Sequence, residues 1–321
     1  MTLEQLSREL ATVDKNSIEI LISDNCSPDD TADVVRKYAS SAPLFKSVRN
    51  AENIGSDANI AQCFNLARGA YVLLLGDDDI LIDGTLASLS SHLRAKAYGV
   101  VCLRPYGYDR DFRREYPGGG GKLREFTDSG DFLAAIGAYM TLISSCVINK
   151  RLLADVDARD YCGGNLVQVH LVIQAALSSA SNLFVDDYKI AYKRNNSGGY
   201  DFWRVFVEEF WRILDSWKRF GLSDNAIRKI ETRMLVGHYP TYLLRERHQG
   251  SPNLAATKAT FDTRFGHRWL YRLWLRPIIT LPRPFAIAWG MSATLFGRVL
   301  SGELRRGIAF ARNQIGKPEA S

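Results

Sequence analysis

Short apolar segments alternate with helical patterns in the first third of the chain, and this alternation constrains the fold more than any other feature. The segments have the length of β-strands and lie at residues 17–23, 44–50, 71–75 and 98–104, and all but the second are rich in Val, Ile and Leu. Strands that alternate with amphipathic helices are typical of a parallel sheet covered by helices. We therefore predict an α/β fold with a mostly parallel sheet.

Two of the intervening helices have recognisable start signals. In the first, Ser27 is placed to be the N-cap and Pro28 to occupy the first helical position. In the second, Ser56 is the N-cap, Asp57 follows it, and Gly69 ends the pattern. We expect both helices to cover the sheet.

After residue 105 the pattern becomes less regular. It predicts a strand near 141–150, a buried helix at 165–177, one or two strands at 182–193, and long helices from 200 to about 247. Four glycines at 118–121 precede Lys122, but Leu123 follows, so the GxxxxGK[ST] spacing of a phosphate loop is missing. We expect a flexible surface loop near a site there instead.

The cysteine content is typical of a protein in a reducing compartment. The five cysteines are odd in number, widely scattered and never spaced as CxxC, a pattern that argues against a disulfide framework and against a zinc site. The first ten residues lack the basic region and apolar stretch of a signal peptide. We expect a cytosolic chain with one large domain and an appendage.

Positive charge is concentrated near the C-terminal end. Residues 264–317 contain ten Lys and Arg but a single acid, Glu303, so their net charge is +9, while the rest of the chain carries −3. Residues 284–297 are apolar but fall short of the about 20 residues that a spanning helix needs. We predict a segment that lies on an anionic membrane surface; a terminal helix with a solvated basic face is the alternative. No nucleic acid is expected as a partner, because no binding motif accompanies the charge.

Polar residues gather where three of the predicted strands end. They are Asp24 and Asn25 after the first strand, Asn53 and Gly55 after the second, and Asp77, Asp78 and Asp79 after the third. Each group alone could be a turn, a helix cap or a set of solvated acids. Because ligands of open parallel sheets bind at the carboxyl ends of the strands, we predict that the three groups form one ligand site.

The three consecutive aspartates need something to offset their repulsion. Two unit charges about 4 Å apart repel by about 4 kcal/mol at the effective dielectric of a protein surface. Either the side chains point into separate regions of solvent or they share a cation. Carboxylates without neighbouring His or Cys suit Mg²⁺ or Mn²⁺, which bind through substrate phosphates, and a nucleotide diphosphate would supply those phosphates.

Two stretches of the sequence, ILISDNCSPDDT and NAENIGSDANIAQCFNLARGAYVLLLGDDDIL, resemble the family 2 glycosyltransferases in residues and in spacing. This is the inverting GT-A group, and within it the stretches resemble bacterial abequosyltransferase-like enzymes of O-antigen and polysaccharide assembly. The resemblance is specific from Ser17 to about Gly84, thin to about Ser197, and absent in the last third.

The resemblance implies a GT-A-type, Rossmann-like fold, with a mostly parallel sheet flanked by helices and a helical C-terminal extension. It divides the chain up to residue 199 into a nucleotide-sugar-binding half at 1–105, which is incomplete at its N-terminal end, and an acceptor-side half at 106–199. The helical pattern then predicts a helical region at 200–263, and the charge predicts a basic amphipathic, membrane-associating tail at 264–321.

The resemblance also implies roles for the clustered residues. Asp24 would contact the nucleotide base, Asn25 and Ser27 would line its pocket, and the pocket wall would be shaped by Asn53, Gly55, Asp57 and Asn59. Asp77 would meet the ribose or the metal, and Asp78 and Asp79 would hold the cation on the diphosphate. The cation would then offset the repulsion among the three carboxylates.

The implied reaction is a single displacement at the anomeric carbon of a nucleotide diphosphate sugar. A base would deprotonate the acceptor hydroxyl, and Mg²⁺ or Mn²⁺ would stabilise the departing diphosphate. The acceptor would be a lipid-linked glycan of a bacterial surface polysaccharide. The protein would then sit peripherally on the inner face of the cytoplasmic membrane.

The sequence departs from the family pattern in two places. The family begins with a strand of the form I-P-x-Y-N, whereas Met1 opens on what resembles the following helix. Gln168 stands where the family places its catalytic Asp, and the nearest titratable residue is His170, whose ordinary pKa of about 6.5 suits a general base. A lone His in an apolar helix is also often a core residue. A second hypothesis is therefore an inactive relative, which would be a binding or scaffold protein or a truncated gene product.

Overall fold

The structure is a computed structural model that describes residues 1–41, 44–194, 201–250 and 254–300. In chain order its first elements are α1 Thr2–Leu10, β1 Ile20–Asp24, α2 Thr31–Ser41, β2 Phe45–Arg49, α3 Ser56–Leu66, β3 Tyr71–Leu73, β4 Ile80–Leu81, α4 Thr85–Ala95, β5 Val100–Tyr108, β6 Lys122–Phe126, α5 Ser129–Ile136, β7 Cys146–Asn149, α6 Val167–Leu177 and β8 Asn182–Lys193. The helices that follow are α7 Phe210–Ser216, α8 Asp224–Arg233, α9 Tyr239–Gln249, α10 Leu254–Phe265, α11 Arg276–Thr280 and α12 Arg283–Leu300. Short 3-10 and π-helical segments join several of them.

The chain forms two compact units. The first contains Met1–Phe112, Gly120–Phe132 and Tyr139–Asn196, and the second contains Arg113–Gly119, Leu133–Ala138 and Ser197–Ser321. The α/β part of the chain therefore lies in the first unit and the helices α7 to α12 lie in the second. The finer boundaries at 105 and 263 stay predictions. The part of the predicted tail from residue 301 onward lies outside the described residues.

The strands belong to two sheets. Strands β1 and β2 pair in parallel, and the remaining strands form a six-stranded sheet in the order β3-β7-β5-β8-β4, with β6 paired to β8. Strands β3, β5 and β8 run in one direction, whereas β7, β4 and β6 run in the opposite one. The larger sheet is therefore mixed rather than mostly parallel, because β7 returns antiparallel between β3 and β5.

The core of the first unit surrounds β5. All nine residues of β5 are buried, and its Val101 and Leu103 pack with Leu183 and Val185 of β8. Burial of a side chain of this size contributes about 1.5–3 kcal/mol each. Leu6 of α1 joins the same core. This packing fixes α1, whose first turn contacts Asp77 through Thr2.

Two predicted helix starts differ from the observed ones. Helix α2 begins at Thr31 and not after Ser27; the Asp29 carboxylate accepts the Thr31 N–H at 3.1 Å, and the Ser27 N–H donates to the Asp24 carboxylate, 2.9 Å away. Helix α3 begins at Ser56, with Gly55 as its N-cap at φ 86°. The predicted helix at 165–177 and the strand at 182–193 are confirmed as α6 and β8.

The second unit is held together by buried aromatic rings. Trp211, Tyr239, Phe261, Phe265 and Tyr271 are all at most 1% exposed. The Trp211 indole N–H donates to the Tyr239 hydroxyl at 2.8 Å, and that hydroxyl donates to the Phe206 carbonyl at 2.9 Å. The polar ends of the two largest rings are thereby satisfied inside the core. The predicted helical C-terminal extension is confirmed.

Candidate active site

The three aspartates lie on a tight turn between β3 and β4. The turn is closed by the Asp79 N–H, which donates to the Gly76 carbonyl at 3.2 Å. Asp77 is exposed, Asp78 is half-buried, and Asp79 is only 4% exposed. The three carboxylates therefore differ in how far they are exposed to solvent.

Two distant side chains hold the backbone of this turn. The Thr2 hydroxyl, at the start of α1, donates to the Asp77 carbonyl at 2.6 Å. The Tyr108 hydroxyl, at the end of β5, donates to the Asp78 carbonyl at 3.1 Å. Because both groups sit on elements that are anchored in the core, the position of the turn is set by the fold of the unit.

Ser144 organises the buried end of the turn. Its side chain is fully buried, its hydroxyl donates to the Asp79 carboxylate, and its oxygen accepts the Gly76 N–H at 2.9 Å. The Lys193 backbone N–H also donates to Asp79. Asp79 is therefore a carboxylate held by two donors, and nothing in the sequence TLISSCV singles out Ser144 in advance.

The electrostatics of the turn favour a positive partner. Burial raises the pKa of Asp79 to about 6 against the Ser144 hydrogen bond, and the charge of Asp78 adds to the rise. Burial also raises the pKa of Asp78, with the charge of Asp77 as the second cause. Ionising either carboxylate therefore costs free energy when no cation is bound, and a bound cation would remove that cost.

The carboxylates beside Gly76 are arranged in a way that suits a divalent cation. A Cβ atom built on Gly76 would lie 3.0 Å from Asp79 Oδ2 and 3.4 Å from Asp78 Oδ1, so both carboxylates approach the bare backbone there. Among the described residues, no three His, Cys, Asp or Glu side chains are arranged to hold a metal by themselves. Mg²⁺ is ordinarily bound by one or two carboxylates together with phosphate oxygens and water. Asp78 and Asp79 fit that kind of shared site.

A network of amide side chains joins the ends of β1 and β2. The Asn25 amide donates to Asn53 Oδ1 at 2.8 Å and to the Gly55 carbonyl at 3.3 Å. Asn25 Oδ1 accepts the Ile54 N–H at 3.1 Å and the Asn50 amide at 3.0 Å. The structure therefore brings together the first two of the three predicted polar clusters.

The network continues into α3 through residues that the sequence did not single out. The Gln62 amide donates to Ser23 Oγ and to Asn50 Oδ1, each at 3.0 Å. Asn59 Oδ1 accepts from the Ser23 hydroxyl at 2.6 Å and from the Asn50 amide at 3.2 Å. Asn59 was predicted for the pocket wall, and Ser23, Asn50 and Gln62 are its support.

Asp24 is held by an ion pair beneath this network. It is 4% exposed, and its Oδ2 lies 2.9 Å from the Arg49 guanidinium. Its other oxygen accepts the Ser27 N–H. Between them Cys26 adopts φ 63°, a left-handed conformation that is uncommon for a residue with a side chain. The predicted contacts of Asp24 and Ser27 with a nucleotide base stay predictions.

Asp57 connects α3 to the loop before α6. Its Oδ2 accepts the Gly163 N–H at 2.7 Å and the Asn165 N–H at 2.9 Å. Asn165 itself has φ 58°, so the loop is held in a sharply turned conformation. The residue predicted to shape the pocket wall thus also fixes the entry to the helix that carries Gln168 and His170.

Gln168 and His170 differ in what surrounds them. Gln168 is 3% exposed and donates to the Thr141 carbonyl at 2.6 Å, while its Oε1 is buried without a hydrogen-bond partner. His170 is half-buried, and its ring stacks on Tyr161 at 4.4 Å with an interplanar angle of 3°. The Tyr161 hydroxyl in turn donates to Gln174 at 2.7 Å. The structure gives His170 a fixed orientation, and its role as a base stays a prediction.

The site therefore has two parts within the first unit. One is the amide network at the ends of β1 and β2, and the other is the aspartate turn after β3. That both parts surround one ligand stays a prediction.

The part of the chain that contains the site matches a known family. The model of the family described as Glycosyl transferase family 2 matches residues 2–156. The match contains the amide network, Asp57 and the aspartate turn.

Two relatives whose names state an activity each match about half of the chain. Abequosyltransferase RfbV of Salmonella typhimurium is 29% identical over 170 residues, which are 48% of this chain and 51% of the relative. The GalNAc(5)-diNAcBac-PP-undecaprenol beta-1,3-glucosyltransferase of Campylobacter jejuni is 27% identical over 156 residues, 46% of this chain and 50% of the relative. The chain thus spans about half the length of the curated relatives it matches.

Solved structures extend the likeness of the fold. Residues 1–349 of S. aureus TarS superpose with a TM-score of 0.57 at 15% identity, covering 95% of this chain and 87% of that one. The same protein in complex with UDP-GlcNAc gives a TM-score of 0.56 at 16% identity, with 95% and 87% covered. This likeness confirms the predicted GT-A fold class. The family model and the two relatives each match about half of this chain, and that part of the sequence is similar to glycosyl transferase family 2.

Proposed function

We propose that the protein is a glycosyltransferase that moves a sugar from a nucleotide diphosphate donor to a glycan acceptor, with inversion at the anomeric carbon. The observation that carries the proposal is the aspartate turn, where Asp78 and Asp79 approach the bare backbone of Gly76. The family match supplies the reaction class, and the turn supplies a place for a metal-bound diphosphate. Inversion follows from a single displacement without a covalent intermediate.

Asp78 and Asp79 would hold Mg²⁺ or Mn²⁺, with Asp77 exposed beside them for the ribose or the metal. The bound cation would neutralise the charge of the departing diphosphate. Ser144 keeps Asp79 ionised and oriented by donating to it. Thr2 and Tyr108 hold the two carbonyls of the turn, so that the carboxylates need little reorganisation when the donor binds.

The amide network would bind the nucleoside part of the donor. Asn25, Asn53 and Asn59 offer amide groups at the ends of two strands, and Gly55 leaves backbone uncovered at φ 86°. Asp24 and Ser27 close the floor of the same region. Amide side chains both donate and accept, as the edges of a nucleotide base require.

The acceptor side of the reaction would use His170. Its stacking on Tyr161 holds the imidazole in one orientation, and Asp57 fixes the loop that leads to its helix. A neutral imidazole accepts a proton from a hydroxyl near neutral pH. The acceptor hydroxyl would lose its proton to this ring as it attacks the anomeric carbon.

We further propose that the acceptor is a lipid-linked glycan of a bacterial surface polysaccharide and that the protein works peripherally at the inner face of the cytoplasmic membrane. The name of the Campylobacter jejuni relative states that its substrate is linked to undecaprenol through PP, which supports an acceptor of this class. Among the described helices, none is both long and apolar enough to cross a membrane.

A second candidate is an inactive relative that binds a nucleotide sugar or a glycan without transferring it. It is favoured by Gln168, which stands at the expected position of the base and donates to a backbone carbonyl. A transfer assay decides between the two. The full chain is incubated with sugar donors of UDP, GDP, CDP and TDP, Mn²⁺ and polyprenyl-diphosphate-linked acceptors, and release of the nucleotide is followed.

Metal-dependent, acceptor-dependent release would support the transferase. Asp78→Asn should abolish it, whereas Asp33→Asn, at a carboxylate whose side chain is 74% exposed on α2, should leave it unchanged. Nucleotide binding without release by the wild-type chain would favour the inactive relative.

A further inference from the structure

Helix α12 is packed with its small residues inward. Its buried positions include Ala286, Gly290, Ala293 and Gly297, which recur every three or four residues and so form one stripe along the helix. An ordinary surface helix buries its large apolar side chains. The arrangement in α12 is the reverse.

Close packing fixes this orientation. A Cβ atom built on Gly297 would lie 2.4 Å from the Val236 carbonyl oxygen, and one built on Gly290 would lie 3.0 Å from Leu244 Cδ1. The stripe therefore meets the π-helix Met234–His238 and helix α9 at a distance that a larger side chain would prevent. Helix α12 cannot rotate its large residues inward without losing these contacts.

The large apolar residues of α12 form an outward face, which we call the α12 outer face. Its members and their exposed fractions are Phe285 66%, Trp289 40%, Met291 55%, Leu295 56%, Phe296 50% and Val299 48%. Trp274 preorders one edge of it, because its ring lies 5.2 Å from that of Phe296 and its carbonyl accepts the Trp289 indole N–H at 3.0 Å. A contiguous apolar surface of this kind marks an interaction site.

The segment that carries the face is positively charged. Between Asp262 and Glu303 the sequence contains no acidic residue. Three arginines of this stretch pair with carboxylates in the second unit, as Arg264 with Asp215 at 2.8 Å, Arg268 with Glu231 at 2.6 Å and Arg276 with Asp262 at 3.4 Å. Arg272 and Arg283 donate to the carbonyls of Gly266 and His248 instead. The described part of the tail therefore carries less unpaired positive charge than the number of arginines in its sequence suggests. Arg272 and Arg283 contribute that remaining charge.

We propose that the α12 outer face seats the protein on the surface of an anionic lipid bilayer. The proposal rests on the lipid-linked acceptor proposed above and names the surface that reaches it. Phe, Trp, Leu and Met on one face of a helix, in a segment that contains arginines and no acid, are typical of helices that lie in the lipid headgroup region. Arg272 and Arg283 complement anionic headgroups.

The same charges disfavour a second copy of the chain as the occupant. A two-fold interface brings the same segment of both subunits together, and the two copies of the segment, which has arginines but no acid between Asp262 and Glu303, would then repel each other. Anionic lipid removes this repulsion. The lipid surface is therefore the occupant that fits both the apolar residues and the charge.

The test is sedimentation of the full chain with vesicles of phosphatidylcholine, with and without phosphatidylglycerol. The outer-face variant replaces Phe285 and Leu295, 66% and 56% exposed, with Ser. The matched control replaces Phe220 and Leu123, 58% and 56% exposed, with Ser. We expect the wild type and the control to bind the phosphatidylglycerol vesicles, and the outer-face variant to bind them at least about tenfold more weakly, because it loses apolar burial.

Equal binding by the outer-face variant would overturn the proposal, as would a wild-type chain that does not sediment with phosphatidylglycerol vesicles. A wild-type dimer in light scattering that the outer-face variant dissociates would assign the face to a second copy instead. Metal-dependent binding of UDP, GDP, CDP and TDP is measured on the same proteins and should be equal in all three. Vesicle binding without any nucleotide binding would support the surface and count against the transferase.

Discussion

Replacing Ser144 with Ala removes the hydroxyl that supports the buried carboxylate of Asp79. Asp79 loses a donor, and the Gly76 N–H loses its acceptor at 2.9 Å. A hydrogen bond to a buried charged group contributes about 1.5–3 kcal/mol. We therefore expect Ser144→Ala to lower the free energy of unfolding by at least about 2 kcal/mol at a pH where Asp79 is ionised.

The cost should depend on pH in a direction fixed by the pKa of Asp79. Its pKa of about 6 in the folded chain lies above its ordinary value of 3.8, so the folded state binds the proton more tightly than the unfolded state. The ionised group then destabilises the fold by about 3 kcal/mol above pH 6, and this cost disappears as the pH falls through 6 towards 4. Ser144→Ala should raise the pKa of Asp79 further and deepen the cost only where Asp79 is ionised.

The assay is denaturant unfolding in EDTA at about pH 8 and about pH 5, with equal slopes as the check that the same surface unfolds. Ser145→Ala is the matched control, because Ser145 is also fully buried but its hydroxyl has no hydrogen-bond partner. We expect the control to cost little at either pH. Equal costs for the two variants, or a Ser144→Ala cost that is the same at both pH values, would refute the reasoning.

Two further predictions concern the donor and acceptor sides of the site. Gly76→Ala places a methyl group 3.0 Å from Asp79 Oδ2 and 3.4 Å from Asp78 Oδ1, so metal-dependent donor affinity should fall at least about tenfold. The control is Gly237→Ala, where a Cβ meets nothing within 4 Å. Unchanged affinity in Gly76→Ala would contradict the shared cation site. His170→Gln should lower turnover by about a hundredfold while nucleotide affinity stays the same, because a base acts on the acceptor; turnover at the wild-type rate would exclude His170 as the base.

The parts of the fold that follow from local pattern could be predicted. The runs around Ile20, Phe45, Tyr71 and Val100 are apolar, short and separated by helices, so the strands were placed to within a few residues. Strand direction could not be predicted, because a strand buried on both faces is a continuous apolar run whichever way it points. That is why β7, with all four residues buried, was not recognised as the antiparallel strand that makes the sheet mixed.

The site was predictable where several polar residues follow a strand, and not where one residue acts from a distance. Asn25, Asn53 and the aspartates stand out because they interrupt apolar sequence. Ser144 does not stand out, since one Ser in an apolar stretch has many ordinary explanations. Ser27 was wrong as a helix cap, because the helix starts four residues later, where the Asp29 carboxylate accepts the Thr31 N–H.

The orientation of α12 was also beyond prediction from pattern. Its small stripe and its large stripe are both apolar, so hydrophobic spacing does not indicate which one faces the protein. The decision depends on the close approach of Gly290 and Gly297 to neighbouring backbone and side chains. Likewise, the charge of the tail was counted correctly, but its pairing with Asp215, Glu231 and Asp262 required the fold.

The most direct test of the central claim is calorimetric titration of the full chain with UDP, GDP, CDP and TDP, each with and without Mn²⁺. The account predicts that one of them binds only with the metal. Asp78→Asn should weaken that binding at least about tenfold, because it removes a charged oxygen ligand while keeping the shape of the side chain. Binding that is indifferent to Mn²⁺, or that Asp78→Asn leaves unchanged, would contradict the claim that the aspartate turn holds a metal-bound diphosphate.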